Sequence, residues 1–139
     1  MKILIVEDNA TFRQTIIGLL KSRFPTLIFE EATNRKEALQ KVSDFIPDLL
    51  FMDISLSGES GLNLLREIKD AFPEIIIIIL TSYDFPEYRQ VAKQNGASHF
   101  LSKSSTSAEE ILELVDSILC NPGSMEAGKI KGAKTEKFT

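Results

Sequence analysis

Five apolar runs alternate with five amphipathic stretches along residues 1–120, and this alternation predicts the fold class. Runs such as 2–6 and 48–53 are almost continuously apolar, which is typical of strands buried on both faces of a parallel sheet. The stretches between them repeat apolar residues at helical spacing. This order of elements indicates an α/β domain in which helices cover both faces of one parallel sheet. The predicted strands are 2–6, 27–31, 48–53, 74–81 and 98–102.

Polar residues and glycines mark the ends of the predicted helices. We expect Asn9, Asn34 and Ser107 to cap helices, because their side chains can accept hydrogen bonds from the first free backbone N–H groups. Gly96 suits the position just after the fourth helix. Residues 54–60 are rich in serine and glycine and are expected to form a loop.

Composition limits the classes of protein that need to be considered. The chain has 139 residues, enough for one domain with a buried core. Its net charge of −4 argues against a general nucleic-acid coat, which needs a basic surface. The single cysteine excludes an internal disulfide and fits a cytoplasmic location. The longest apolar run, 75–80, is far short of the roughly 20 residues that span a bilayer, so no membrane contact is expected.

The character of the chain changes after Cys120. Residues 121–139 contain few large apolar side chains, and they carry four lysines against two glutamates. We therefore expect residues 1–120 to form the domain and residues 121–139 to be a flexible tail or linker stub.

Charged and hydroxyl residues follow four of the predicted strands. Glu7 and Asp8 follow the first strand, Asp53 ends the third, Thr81 ends the fourth and Lys103 follows the fifth. The carboxyl ends of parallel strands meet at one edge of a sheet, where such folds bind ligands. The sequence therefore predicts three carboxylates, a hydroxyl and an ammonium at a single edge.

This set of groups suits phosphoryl transfer. Three neighbouring carboxylates need a counter-charge, and all-oxygen ligands favour Mg²⁺. Lys103 could neutralise a phosphate oxygen while the Thr81 hydroxyl contacts another. Asp53 is then the candidate nucleophile, because carboxylates form acyl phosphates. Positioning and charge neutralisation are the main requirements of this chemistry.

Four segments, in this order, resemble the receiver domain of two-component response regulators, including its chemotaxis regulators. They are ILIVEDN at 3–9, LLFMDISLSGESG at 49–61, IILTS at 78–82 and GASHFLSKS at 96–104. The resemblance extends over residues 1–120. It implies a flavodoxin-like (βα)5 three-layer sandwich with parallel strand order 2-1-3-4-5.

The resemblance also implies a partner and a metal. A sensor histidine kinase or a histidine phosphotransfer protein would phosphorylate Asp53 in a two-component system or phosphorelay. Mg²⁺ would be held by Glu7, Asp8, Asp53 and the backbone carbonyl of Ser55. The domain would not be an enzyme in the usual sense, since it would catalyse only its own phosphorylation and dephosphorylation.

A switch is implied as well. Lys103 would bind the phosphoryl group, the Thr81 hydroxyl would be drawn toward it, and Phe100 would be the switch aromatic that swings inward to fill the space that Thr81 leaves. The surface of the fourth helix, fifth strand and fifth helix would then change its preference for partners. A homodimer through this surface is one expected outcome, because members of the family often dimerise there.

Some positions depart from the usual family pattern. Leu56-Ser57 stands where Met-Pro is usual, Phe100 is not a tyrosine, and Ser104 replaces the proline that often follows the lysine. A lysine without a following proline is similar to receivers of regulators that carry a helix-turn-helix output domain. An alternative hypothesis is that the chain is the excised receiver of a DNA-binding transcription regulator. Such a regulator would contact nucleic acid only through an output domain that is absent here.

Simpler interpretations of the same residues remain open. Glu7 and Asp8 would also suit a solvated helix start, and Thr81 could cap the following helix. Phe100 could be an ordinary core residue, and the whole chain a constitutive interaction module with an unused acidic site. His99, the single histidine, is expected to be structural or solvent-exposed and not a phosphodonor.

Overall fold

A parallel sheet between two layers of helices organises the chain in the computed structural model, which describes residues 1–56, 59–120 and 136–137. The strands are β1 (Lys2–Val6), β2 (Ile28–Ala32), β3 (Leu49–Met52), β4 (Ser55–Leu56), β5 (Glu59–Ser60), β6 (Ile76–Thr81), β7 (His99–Ser102) and β8 (Glu136–Lys137). The helices are α1 (Ala10–Arg23), α2 (Arg35–Phe45), α3 (Gly61–Ala71), α4 (Pro86–Gln94) and α5 (Ala108–Cys120).

The strand order of the main sheet is β2-β1-β3-β6-β7-β8. The first five of these strands are parallel, and β6 and β7 are the fourth and fifth predicted strands. The predicted order 2-1-3-4-5 is therefore confirmed. Strand β8 adds to the β7 edge in antiparallel orientation, with Glu136 opposite Phe100. The rest of segment 121–139 lies outside the described residues, so its assignment as a tail stays a prediction.

Alternate residues of the inner strands face opposite helical layers. In β1, Ile3 and Ile5 pack with α1 and α5, whereas Leu4 and Val6 pack with α2, α3 and α4. All four side chains are buried. Burial on both faces explains why these strands read as continuous apolar runs. The predicted three-layer arrangement is confirmed.

Side-chain caps begin the helices where the sequence predicts them. Asn9 and Asn34 each accept a hydrogen bond of 2.9 Å from a backbone N–H three residues further on. Ser107 and Glu110 form a reciprocal capping box at the start of α5. Such caps contribute about 1 kcal/mol each. Gly96 follows α4 with a φ of 105°, which glycine adopts more easily than any other residue.

The segment after Asp53 differs from the predicted loop over residues 54–60. Ser55–Leu56 and Glu59–Ser60 pair as two short antiparallel strands. Leu56 is fully buried, and the Gly61 N–H donates to the Ile54 carbonyl at 2.9 Å. The small polar residues of this segment suggest an irregular loop, but the burial of Leu56 and the closing hydrogen bond hold it against the domain.

No helix within the described ranges is both long enough and apolar enough to cross a membrane.

The two glycines Gly61 and Gly18 give a matched pair for testing the fold. A Cβ on Gly61 would lie 2.5 Å from the Cα of Ile54 and 2.6 Å from the carbonyl oxygen of Asp53, whereas nothing lies within 4 Å of a Cβ on Gly18. We expect Gly61→Ala to lower the free energy of unfolding by about 2 kcal/mol or more, because backbone atoms must shift. Gly18→Ala should raise it by up to ~1 kcal/mol through helix propensity.

Urea denaturation of both variants measures the difference. Similar effects of the two substitutions would contradict the close approach of α3 to the end of β3.

Candidate functional site

Backbone hydrogen bonds continue past the strands and bring the predicted site residues side by side. The Asp53 N–H donates to the Val6 carbonyl at 3.2 Å, and the Lys103 N–H donates to the Thr81 carbonyl at 2.8 Å. Glu7 directly follows Val6 at the end of β1. The sheet register therefore places residues that are far apart in sequence at one edge, as the strand pattern predicts.

The ammonium of Lys103 contacts two carboxylates of the site. Its Nζ lies 2.8 Å from Oε1 of Glu7 and 2.9 Å from Oδ2 of Asp53. Glu7 is 3% exposed and Asp53 is 6% exposed, while the Lys103 side chain is 16% exposed. Three of the predicted site residues thus form one largely buried ion-pair network.

The second oxygen of each carboxylate is held by a backbone N–H. Asp53 Oδ1 accepts from the Ser55 N–H at 3.0 Å, and Glu7 Oε2 accepts from the Asn9 N–H at 3.1 Å. Both carboxylates are therefore fixed in orientation on two sides. Ser55 contributes its N–H group to this arrangement, and the role predicted for its carbonyl stays a prediction.

Burial and hydrogen bonding shift the pKa values of Glu7 and Lys103 in opposite directions. Burial raises the pKa of Glu7 above its ordinary value, although Lys103 and the Asn9 N–H partly offset this. Burial acts to lower the pKa of Lys103, but its hydrogen bonds and charge interactions with Glu7 and Asp53 together raise it above the ordinary value. Lys103 is therefore a permanent positive charge at neutral pH.

The third predicted carboxylate, Asp8, is exposed at the same edge. Within the described ranges, no three His, Cys, Asp or Glu side chains are arranged as a metal-binding group. Glu7 and Asp53 instead converge on Lys103 Nζ. Mg²⁺ is commonly held by only one or two carboxylates together with water and phosphate oxygens. The hard oxygen donors at this edge fit such an ion in chemical type and number.

The two predicted switch residues lie on neighbouring strands. Thr81, fully buried at the end of β6, accepts a hydrogen bond at 3.2 Å from the Tyr83 N–H. Phe100 is 1% exposed, so its ring already points into the core. The Arg89 guanidinium from α4 lies 4.7 Å from the centroid of that ring. Phe100 therefore joins the core to the surface of α4.

The structure also describes His99 and the peptide bond after Lys103. His99 is fully buried within β7, so the solvent-exposed alternative is wrong. The peptide bond between Lys103 and Ser104 is trans, like the others in the described ranges. The hydroxyls of Ser102 and Ser104 lie 3.0 Å apart on either side of the lysine.

Two residues of α1 belong to the site although the sequence gives no sign of it. Arg13 donates to the Glu7 carbonyl oxygen at 2.7 Å and to Glu31 on β2 at 2.6 Å. The ring centroid of Phe12 lies 4.2 Å from Lys103 Nζ. In the sequence, Arg13 looks like an ordinary polar helix residue and Phe12 like part of the apolar stripe.

The fold and the site together define a class of protein: a doubly wound α/β domain with a carboxylate–lysine site at the carboxyl edge of its parallel sheet. The chain belongs to the response regulator receiver domain family, because the sequence profile of that family matches residues 3–116. It is thus a receiver domain of two-component signal transduction, as the resemblance implies.

Individual relatives agree with this assignment. The oxygen regulatory protein NreC of Staphylococcus aureus strain JH9 is 36% identical over 115 residues, which are 82% of this chain and 53% of NreC. The chain thus spans about half the length of the curated relatives it matches. A DNA-binding response regulator of the LuxR family from Staphylococcus aureus superposes with a TM-score of 0.75 at 26% identity, over 84% of this chain and 97% of that one.

A response regulator from Burkholderia pseudomallei is also similar in structure. Its crystal structure contains a phosphorylated aspartic acid, a calcium ion and citrate. It superposes with a TM-score of 0.75 at 26% identity, over 92% of this chain and 74% of that one.

Replacing Lys103 by methionine tests the ion-pair network. The substitution keeps a long apolar side chain but leaves two buried carboxylates without their ammonium. We expect the free energy of unfolding at pH 7 to fall by about 2 kcal/mol, less than the ~3–5 kcal/mol for fully buried pairs because Lys103 is partly exposed. The pKa of Glu7 should rise further, since the lysine that opposes its burial is lost.

The pH dependence has a definite sign. A carboxyl group whose folded pKa lies above its unfolded value of 4.5 favours folding most at low pH, and this advantage is lost as pH rises through the folded pKa. The stability lost in Lys103→Met should therefore be partly recovered on acidification toward pH 5. Carbon-detected NMR titration of Glu7 and urea denaturation at both pH values measure these effects. The exposed Lys93→Met serves as the control, and an equal loss in both variants would contradict the network.

Proposed function

We propose that the chain is a phosphorylation-activated receiver that accepts a phosphoryl group on Asp53 from a sensor histidine kinase or a histidine phosphotransfer protein. One observation carries this proposal. Asp53 is a buried carboxylate at the end of a strand, with one oxygen on the Lys103 ammonium and the other on the Ser55 N–H. The ammonium is thus already in place to neutralise negative charge at this carboxylate.

The proposed reaction transfers a phosphoryl group from a histidine to Asp53 without any change of oxidation state. An oxygen of Asp53 attacks the phosphorus of a phosphohistidine, so that an O–P bond forms and the N–P bond breaks. The electron pair of the broken bond stays on the histidine nitrogen. Lys103 stabilises the negative charge on the phosphoryl oxygens. Attack by water later breaks the O–P bond and returns the carboxylate and inorganic phosphate, so the domain acts only on itself.

We propose Mg²⁺ as the cofactor, held by Glu7, Asp8, Asp53 and the Ser55 carbonyl. Two buried carboxylates against one ammonium leave a net negative charge at this edge, which favours a cation. When bound, the ion would neutralise charge on the phosphoryl oxygens. The calcium ion in the phosphorylated Burkholderia relative supports a divalent site in this family.

The proposed switch runs from Thr81 to Phe100 through paired strands. By analogy with other phosphorylated residues, the phosphoryl group carries roughly −1.5 to −2 charges at neutral pH. Thr81 would turn its hydroxyl to donate to a phosphoryl oxygen, and Phe100 would adjust because β6 and β7 are paired in register. The surface of α4, β7 and α5 then changes its affinity for a partner. A homodimer through this surface and action in the cytoplasm are part of the proposal.

A specific observation favours a second proposal about the output. The NreC relatives are about twice as long as the matched region, and one structural relative is a DNA-binding LuxR-family regulator. The chain would then be the receiver part of a DNA-binding transcription regulator. The coding sequence after the codon for Thr139 decides this, since a helix-turn-helix domain there would support it and a stop codon would contradict it.

Asparagine variants at the two ends of β3 test the phosphoacceptor. We expect wild-type protein incubated with acetyl phosphate and Mg²⁺ to gain 80 Da, the mass of one phosphoryl group. Asp53→Asn should gain none. Asp48→Asn, the same chemical change at the opposite end of the strand, should behave as wild type because the Asp48 side chain accepts from the Lys2 backbone N–H, away from the Lys103 ammonium. Intact-protein mass spectrometry measures the adduct.

An unmodified wild type would favour a constitutive interaction module with an unused acidic site. An undiminished adduct in Asp53→Asn would place the modification on another residue.

Thr81 variants separate phosphorylation from switching. We expect Thr81→Ala to bind beryllofluoride at Asp53 while losing most of the accompanying amide shifts in α4, β7 and α5. Thr81→Ser keeps the hydroxyl and should retain those shifts. Two-dimensional NMR with and without beryllofluoride and Mg²⁺ makes the comparison. Shifts of wild-type size in Thr81→Ala would show that the signal reaches Phe100 by another route.

A further inference from the structure

A closed circuit of contacts links the start of α1 to the lysine of the site. Glu7 accepts from the Asn9 N–H at 3.1 Å, and Asn9 Oδ1 accepts from the Phe12 N–H at 2.9 Å. The Phe12 ring centroid lies 4.2 Å from Lys103 Nζ, and Lys103 returns to Glu7 at 2.8 Å. The cap of α1 therefore fixes the backbone of the residue whose ring faces the ammonium.

The Phe12 ring lies over an ammonium that has one more N–H donor than the two carboxylates accept. A lysine ammonium has three N–H donors, and Glu7 and Asp53 accept two of them. An aromatic ring within about 6 Å attracts a cation through its quadrupole, and more strongly where water is excluded. At 4.2 Å from a side chain that is 16% exposed, Phe12 meets both conditions.

We propose that Phe12 is a positioning residue for Lys103. A cation–π contact with the Phe12 ring holds the lysine ammonium between Glu7 and Asp53. Its consequence for phosphoryl binding rests on the proposed function. The contact itself does not, because it is present in the unmodified domain.

An aromatic ring is well suited to this position because it attracts the lysine ammonium less strongly than a carboxylate would and adds no charge to the site. A third carboxylate would bind the ammonium strongly and would add negative charge next to the incoming phosphate. An aliphatic residue would exclude water but would not attract the cation. The ring therefore keeps Lys103 in place while leaving it able to turn toward a phosphoryl oxygen.

A double-mutant cycle on stability tests the contact without any phosphoryl chemistry. We expect Phe12→Leu and Lys103→Met to be non-additive, with a coupling of about tenfold in the folding equilibrium constant. Phe24→Leu is the matched control. Phe24 is also a half-buried phenylalanine of the α1 region, packed against the same core as Phe12, but it is not part of the contact circuit.

The control and the conservative variant exclude a purely packing role. Phe24→Leu and Lys103→Met should be additive in urea denaturation, and Phe12→Tyr should keep the coupling with Lys103→Met. The upfield ring-current shift of the Lys103 ε-protons should be lost in Phe12→Leu and kept in Phe12→Tyr. Additive effects at Phe12, or an unchanged Lys103 proton shift in Phe12→Leu, would overturn the proposal.

Beryllofluoride binding tests the consequence for the site. With Mg²⁺ present, we expect Phe12→Leu to bind beryllofluoride about tenfold more weakly, while Phe12→Tyr and Phe24→Leu bind as wild type. Failure of wild-type protein to bind would count against the proposed function and leave the result of the stability cycle standing. Tight binding by Phe12→Leu would overturn the positioning role.

Discussion

The ammonium of Lys103 lies between two buried carboxylates from different strands, and the whole carboxyl edge is arranged around it. Two carboxylates this deeply buried would be costly without a counter-charge. Their remaining oxygens are held by backbone N–H groups of the turns that follow β1 and β3. The same contact that permits their burial thus also fixes the direction in which Asp53 presents its oxygens.

The rest of the domain holds these three side chains together at the carboxyl edge of the sheet. Apolar packing on both faces of the sheet fixes the register of β1, β3, β6 and β7, because a slip by one residue would move every side chain to the other face. Helix α1 adds further constraints from the side. Its cap, its arginine and its phenylalanine all reach the loop or the lysine of the site.

Phosphoryl chemistry and signalling would use different parts of this arrangement. The carboxylates and the lysine lie at the strand ends, where a ligand can approach them. Thr81 and Phe100 lie on the paired strands β6 and β7 and are buried, so a change at the site would reach the α4 surface through packed atoms. Arg89 on the Phe100 ring gives that surface a charged group next to the core.

The sequence by itself determined the order of the five main strands and five helices, most helix caps and the identity of the charged residues at the carboxyl edge. These follow from local rules of periodicity and capping, and from the fact that parallel strands end at a common edge. The order of the strands within the sheet was implied by the resemblance to receiver domains. Only the tertiary structure decided that Lys103 joins Glu7 to Asp53, that Asp8 is exposed, that Ser55–Leu56 pairs with Glu59–Ser60, and that Arg13 and Phe12 belong to the site. Such contacts depend on the packing angle of a helix and on side-chain rotamers. Both are set by neighbours that are distant in sequence, so no local sequence pattern predicts them.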